Sequence, residues 1–593
     1  MRAKTFTKFG IGLVAVTLAT CTLAVPASAD PANGKFGTLV GTGSDTTQDV
    51  LNGLSAAIGG STGLRIASYD ATGTASIVTR DGAAALPRPN GSGNGRDVLR
   101  VAIGQSTTAT ATINGVPTTW TSANATGNVD FARTSSGAGA ADVAANGVLT
   151  YIPFAKDAVT YATSSNSVIP ALTLGSAADA VDSNGVGVAS LFSIYGGKVT
   201  RVITVNGAYS KVVNASYVLQ SGEVSTPIHA LVPQAGSGTR SFWIGKVGIT
   251  EANITGGTVP VKDVFGASNL PVQEHDGTAL QNDPGAIVPF SIGQWVAQGN
   301  GITGVNDRRH GAALGSINGQ APTTGTAGNY ELNEGFTSIT RTVYNIVPSA
   351  LADDENSKIN WAFVGTGSLI CSQEDVIKKY GFGLLTGSGV NSCGDTSIRA
   401  YAPSASSVTL AAPSAIKYGK SFTATATVAS NNNGGGSVTF YNGETELSTV
   451  KIAAGATTAA TAIKTTSAKT IADLDLTAEF TPNLSGVADA ASTPAVVDVQ
   501  LAVSVVKAGA ASVKANAYPV VKVAVAASGT TVAGKVTVKE GSKTLKANVT
   551  LVGGKVNVKL PKLKKGTHKL VVSYGGSSTV AAGKSAVIKL VIK

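Results

Sequence analysis

A chain of 593 residues exceeds what one hydrophobic core organises, so several domains are expected. Only 13% of the residues are charged, and small and β-branched residues recur in short runs, which excludes a disordered charged tail and favours strand-rich domains. The net charge of +11 is uneven: residues 501–593 hold 16 Lys and one acid, Glu540, for +15, residues 402–500 carry −2 and residues 30–401 carry −5.

The N-terminus reads as a secretory signal peptide over residues 1–29. Arg2, Lys4 and Lys8 precede the apolar run Gly10 to Val25, and Ala27-Ser28-Ala29 supplies a small-x-small cleavage site before Asp30. The run is too short to read as a membrane span. A second reading makes Cys21 the lipidated residue of a lipoprotein, with Thr20 an unfavourable neighbour. Either way the protein is expected outside the cytoplasm, secreted or associated with the cell wall or surface. Cys371 and Cys393 then remain, and an even count in an exported chain points to a disulfide. Closing that loop is worth about 3 kcal/mol in the chain-entropy account. His229, His275, His310 and His568 are scattered without metal-ligand spacing, so neither a metal nor a cofactor is expected.

Residues 36–400 read as mixed α/β, with strand-like runs, helix-like runs and Gly-rich breaks between them. Three segments carry candidate chemistry. In Thr42-Gly43-Ser44-Asp45-Thr46-Thr47 a strand passes through a Gly-rich turn into a helix, with Ser44, Asp45 or Thr46 as candidate N-cap. A helix start offers unpaired N–H groups to an anion, though many helices begin this way only for the cap. In Asp130-Phe131-Ala132-Arg133-Thr134-Ser135-Ser136 hydroxyls and a cation again follow an apolar strand. In Pro233-Gln234-Ala235-Gly236-Ser237-Gly238-Thr239-Arg240 the glycines admit close backbone approach, Ser237 and Thr239 donate, and Arg240 offers a planar donor fork.

GTGSDTT, FARTSSG and GSGTRSFW, in that order, resemble the periplasmic phosphate-binding (PstS-like) substrate-binding proteins of ABC transporters, actinobacterial type. YIPFAKDAVTYAT (151–163) and GAIVPFSIGQW (285–295) are similar to that family's two crossings between lobes, and Leu191-Phe192-Ser193-Ile194-Tyr195-Gly196 to another of its segments. The resemblance spans residues 36–400. It implies an α/β two-lobed periplasmic-binding-protein fold (type II), with 36–150 and 290–400 in one lobe and 165–285 in the other. It also implies a site for phosphate or a similar small oxyanion built from Thr42, Gly43, Ser44, Asp45, Thr46, Thr134, Ser135, Ser136, Ser237, Gly238 and Thr239. Pro233 stands where phosphate-specific members carry Arg, with Arg133 or Arg240 as candidate replacements. Asp45 and Asp130 are the candidates for the acid that accepts the ligand's proton. An ABC permease is the implied partner.

From residue 402 onward the pattern has period 2 throughout, indicating an all-β region. Val438-Thr439-Phe440 matches Val536-Thr537-Val538 at an offset of 98, and Leu476–Phe480 matches Leu570–Tyr574 at an offset of 94. Two repeats of this size, 402–500 and 501–593, resemble bacterial immunoglobulin-like repeats, so two all-β immunoglobulin-like sandwiches are expected as spacers or as a wall-binding stalk. The Lys-rich second repeat lacks interleaved aromatics, which argues against nucleic acid and fits a solvated face or adhesion to an anionic cell-wall polymer.

The expected function is ligand capture without chemistry on the ligand. The alternative is a cell-surface adhesin or structural protein that uses the same fold. A surface phosphoesterase is disfavoured, because the sequence has no GxSxG elbow and no HExxH, and Glu274-His275-Asp276 reads as a polar turn.

Overall fold

The computed structural model describes residues 30, 31, 35–63, 65–432, 434–465 and 471–593. The signal-peptide reading, with Cys21, lies outside the described residues. Among the described residues no helix is long and apolar enough to cross a membrane.

One mixed sheet organises residues 35–401. Eight of its ten strands form a continuous path, in chain order β1 (Leu39–Gly43), β2 (Ile66–Ser68), β3 (Phe131–Thr134), β4 (Leu149–Thr163), β5 (His229–Leu231), β6 (Val261–Lys262), β7 (Ala286–Ser291) and β8 (Thr340–Pro348), and the short Ala313–Leu314 and Arg399–Ala400 also pair with β4. The eight lie side by side as β6-β5-β7-β4-β8-β3-β1-β2. The triplets β2-β1-β3 and β6-β5-β7 are parallel inside themselves, and the strands between them are antiparallel.

The 15-residue β4 joins the two halves. Leu149 to Ala158 pair with β8, and Val159 to Thr163 pair with β7. Every residue of β4 except Lys156 is buried, as fits a strand covered on both faces.

The first half packs on both faces of the sheet. Leu39, Phe131 and Ile152 point into one apolar cluster with Val50, Leu54 and Phe363, while their neighbours Val40, Ala132 and Tyr151 point into another with Leu99 and Trp120. That reversal between adjacent residues is the period-2 pleat. The second half has its own core around Tyr195, Trp243 and Phe290.

The division between the halves differs from the sequence expectation. Residues 290–339 were placed with the first lobe, yet Ile292, Trp295, Val296, Ile317, Phe336 and Ile339 belong to the second core. The reason is the pairing of β7 with the far end of β4, which carries the following helix to that side. Ala297 and Ile302 of the same stretch pack in the first core instead, so residues 290–339 are shared between the halves, and β8 returns to the first half with Val343 and Val347. Cys371 and Cys393 form a disulfide beside that first core.

The remaining chain forms two double-sheet units. In the first, Ser421–Ser430 pairs with Ser406–Ala411 and Thr458–Lys464, and faces a sheet centred on Gly436–Asn442 and Leu474–Pro482. In the second, β9 (Ser504–Ala510), β10 (Val520–Ala527) and β12 (Lys555–Lys559) form one sheet, with β11 (Lys535–Glu540) and β13 (Gly566–Tyr574) at the centre of the other. The matched repeat positions occupy equivalent pairs, Val438 opposite Phe480 and Val536 opposite Tyr574, all buried. The first unit docks on the sheet domain through Gly486 N–H to the Ile103 carbonyl at 2.7 Å and Asn432 Nδ2 to the Ser106 carbonyl at 2.9 Å.

Candidate functional site at the junction of the two halves

Three helices begin where the halves meet: α1 (Gln48–Thr62), α2 (Ser92–Ala102) and α3 (Gly238–Lys246). β1 ends at Gly43, whose φ of 121° and proximity to the Arg133 carbonyl (2.6 Å from a notional Cβ) require glycine. Ser44 to Thr47 follow, all buried. Thr47 occupies the N-cap of α1 without a side-chain cap bond, so none of Ser44, Asp45 and Thr46 serves as the cap that the sequence suggested. The hydroxyls of Thr42, Ser44 and Thr47 are buried and unpartnered.

Thr46 is the meeting point of the halves. Its Oγ1 lies 3.1 Å from Thr239 Oγ1, 2.9 Å from His275 Nε2 and 3.3 Å from Arg341 Nη2. The backbone N–H of Ser291 donates to His275 Nδ1 at 3.1 Å, so Nδ1 accepts and the ring proton sits on Nε2, facing Thr46. Burial, reinforced by the Arg341 and Arg308 cations, holds His275 well below the usual imidazole range, so it is neutral. Arg341 donates from Nε and Nη2 to Asp157 Oδ2 at 2.9 and 2.8 Å and from Nη2 to Thr239 Oγ1 at 2.9 Å, and its Nη1 is unpartnered.

Ser237 caps α3, accepting the Arg240 N–H at 2.9 Å. Its own hydroxyl donates to Glu274, and the N–H of Thr239 donates to the same carboxylate oxygen at 3.0 Å. The donors of the third segment therefore face an internal carboxylate. The second oxygen of Glu274 is buried and unpartnered, and burial, with the nearby Asp45 charge, raises this carboxyl above its usual range.

The second and third segments also touch directly. Ser92 Oγ accepts the Ser135 N–H at 3.0 Å, and a Cβ on Gly238 would fall 2.3 Å from Ser92 Oγ and 2.5 Å from Ser135 Oγ. The Gly93 N–H donates to the Gly236 carbonyl at 3.0 Å. Beside these contacts lies a polar cavity of about 160 Å³ bordered by Ser92, Arg96, Thr134, Ser136, Ser237 and Ser241.

The four charged candidates are engaged elsewhere. Arg133 is fully buried and donates to the carbonyls of Ser44 and Tyr69 and to Ser68 Oγ, at 3.1, 2.8 and 2.9 Å. It fastens loops, and burial depresses it to about 10. Arg240 is turned to Glu251, to Asp263 and to the Pro233 carbonyl. Asp130 accepts the Val40 N–H at 2.7 Å and pairs with Arg80. Asp45 takes both guanidinium nitrogens of Arg308 at 2.9 and 3.1 Å. Thr134 donates to the Ser136 carbonyl.

Sequence reasoning missed Ser92, Glu274, His275 and the Arg341–Asp157 pair. Gly91-Ser92-Gly93 has the same Gly-Ser texture before a helix as the segments chosen, and that signal was available. Glu274-His275 read as a polar turn, yet both residues are about 1% exposed. Asp45, Glu274 and His275 place ligand atoms within 4.8 Å of one another. They do not fit a cation: both Asp45 oxygens hold Arg308, and the inward His275 nitrogen carries the proton.

No protein-family model matches the chain, and no curated protein matches it.

Proposed function

We propose that residues 30–401 form a two-lobed extracellular solute-binding domain that captures phosphate or a similar small oxyanion at the junction of its halves, for delivery to an ABC importer. The observation that carries this reading is the convergence of hydroxyl-rich loops from both halves, Ser44–Thr47, Ser92 and Thr134–Ser136 against Ser237–Thr239, beside a polar cavity. Neutral donors fixed at helix starts hold a dehydrated oxyanion with little ordering cost. The cavity is about tenfold larger than the space one water needs, roughly 10–15 Å³ on the same kind of measure. The cation at the cavity rim is Arg96, whose Nε and Nη2 also hold Asp97 at 2.9 and 3.0 Å, and Arg341, with one N–H pair unengaged, stands at the junction outside the cavity lining. Rotation about the β4, β7 and β8 crossings would open and close the site.

A second reading, a cell-surface adhesin built on the same fold, is favoured by one feature. The Glu274 carboxylate already occupies the Ser237 and Thr239 donors, so an anion must compete with it.

The test is calorimetry on the full exported chain, refolded from denaturant to strip retained ligand, titrated with orthophosphate and then sulfate. Micromolar or tighter phosphate binding that excess sulfate leaves intact supports a phosphate receptor. Silence with both anions rejects capture and favours the adhesin.

A further inference from the structure

We propose that the outer face of the β9-β10-β12 sheet is a docking trough for a linear polymer of repeated phosphate groups. On an antiparallel pair, residues directly opposite share a face. Lys507 lies opposite Ala524, which lies opposite Lys555; Gly509 lies opposite Lys522, which lies opposite Asn557; and Val520 lies opposite Lys559. All four lysines are exposed, while Val506, Val521, Val523 and Val558 of the same strands turn into the core. Lys522 is thus the centre of a cluster, with Lys507, Lys555 and Lys559 each at a diagonal position, about 7–8 Å away by sheet geometry.

The floor between them is low. Gly509 has no side chain and open space where one would be, and Ala524 and Asn557 are short. The result is a trough of about 560 Å³ whose walls are lysine stems. At its end Lys559 Nζ lies 4.6 Å from the centre of the exposed Tyr518 ring, and Lys562 approaches the same ring at 5.5 Å.

Charge complementarity selects the occupant. The only acid of residues 501–593 is Glu540, which sits on the other sheet and bonds His568 Nδ1 at 2.8 Å. The four lysines have no carboxylate partner among the described residues. The cluster therefore needs anionic groups from outside, recurring at about the 7–8 Å spacing of the lysines. Lysine is a flexible point charge that meets phosphates in any orientation, and this unit contains no Arg to demand a planar bidentate partner. The Gly-Ala-Asn floor offers no platform for base stacking, and Tyr518, the single ring at the trough's end, already carries Lys559 and Lys562, which disfavours a run of stacked bases. The inference does not depend on what the sheet domain binds.

The experiment uses the full chain, inorganic polyphosphate as probe, and two variants of equal charge. One is K507Q/K522Q/K555Q/K559Q in the trough. The other is K535Q/K543Q/K569Q/K589Q on the opposite sheet. The proposal expects at least a tenfold loss of polyphosphate affinity in the trough variant, little change in the other, and a salt dependence shallower by about 3 in log–log slope for four lost contacts. Equal losses in both variants would mean net charge alone acts, and would overturn it. So would absence of binding, equal binding of polyglutamate, or tighter binding of a single-stranded oligonucleotide. Orthophosphate binding at the sheet domain, unchanged in both variants, separates failure here from failure of the capture reading.

Discussion

The carboxylate of Glu274 accepts the backbone N–H of Thr239 at 3.0 Å, at the start of the helix whose donors were expected to hold the ligand. A helix start is an anion site whether the anion is a ligand or a side chain. This internal carboxylate accordingly sets the terms on which any external oxyanion enters.

Glu274→Gln tests that competition. The amide oxygen can still accept from Ser237 and Thr239, but the negative charge is gone. Orthophosphate affinity at neutral pH is expected to rise at least tenfold by calorimetry. A fall would instead assign Glu274 as the acceptor of the ligand's proton.

Asp157→Asn and Arg341→Met test the buried pair that links β4 to β8. Asp157 is 0% exposed and also accepts from Ser291 Oγ at 2.7 Å. Removing either partner strands the other, at a cost of about 3–5 kcal/mol. In denaturant unfolding the double variant is expected to be less destabilised than the sum of the singles, and strict additivity would deny the coupling.

Asp49 gives the fold a pH dependence. Burial pushes its carboxyl up to about 7, against the pull of Arg308 and with Asp70 and Asp45 adding repulsion. Its pKa is higher folded than unfolded, so the native state binds more protons between about pH 4 and 7 and loses stability as pH rises through that window. The penalty is complete above pH 7 and is of the order of a few kcal/mol. Asp49→Asn should raise the unfolding midpoint at pH 8 and leave it little changed at pH 4. Parallel pH profiles for the two proteins would reject this role.

Gly238→Ala tests how closely the halves approach. Its added methyl would meet the Ser92 and Ser135 hydroxyls well inside contact distance. Overpacking of this kind costs about 1–3 kcal/mol. Here it is relieved by separating the loops, so a larger radius of gyration by solution scattering and weaker anion binding are expected. An unchanged radius with unchanged affinity would show that the contact is not maintained in solution.

Local signals carried the parts of the fold that local physics builds. Strand alternation from residue 421 onward survives folding because each strand has one face to bury. The repeat offsets mark strands that pair alike, as Val438 with Phe480 and Val536 with Tyr574. The two late cysteines, the pair the sequence pointed to, form the disulfide. The first and third Gly-Ser-Thr segments do lie at helix starts, where glycine and small hydroxyls suit the turn, whereas the second follows β3 into irregular chain.

What no local pattern could supply was the assignment of charge. Arg133, Arg240, Asp130 and Asp45 looked like ligand groups because each sits in a donor-rich segment, yet all are held by other partners, near in sequence for Arg240 (Glu251 and Asp263) but far for the rest, as Asp45 from Arg308 by 263 residues. A buried charge must be neutralised or fully hydrogen-bonded, and which neighbour does so is fixed only when distant strands come together. By itself the sequence determined the two textures of the chain, its repeat, its disulfide candidates and its lysine-rich end. Only the tertiary structure decided that Arg341, Asp157, His275 and Glu274 stand at the junction, because their placement depends on pairing across β4, 102 to 184 residues apart for the Arg341 contacts to Thr239 and Asp157.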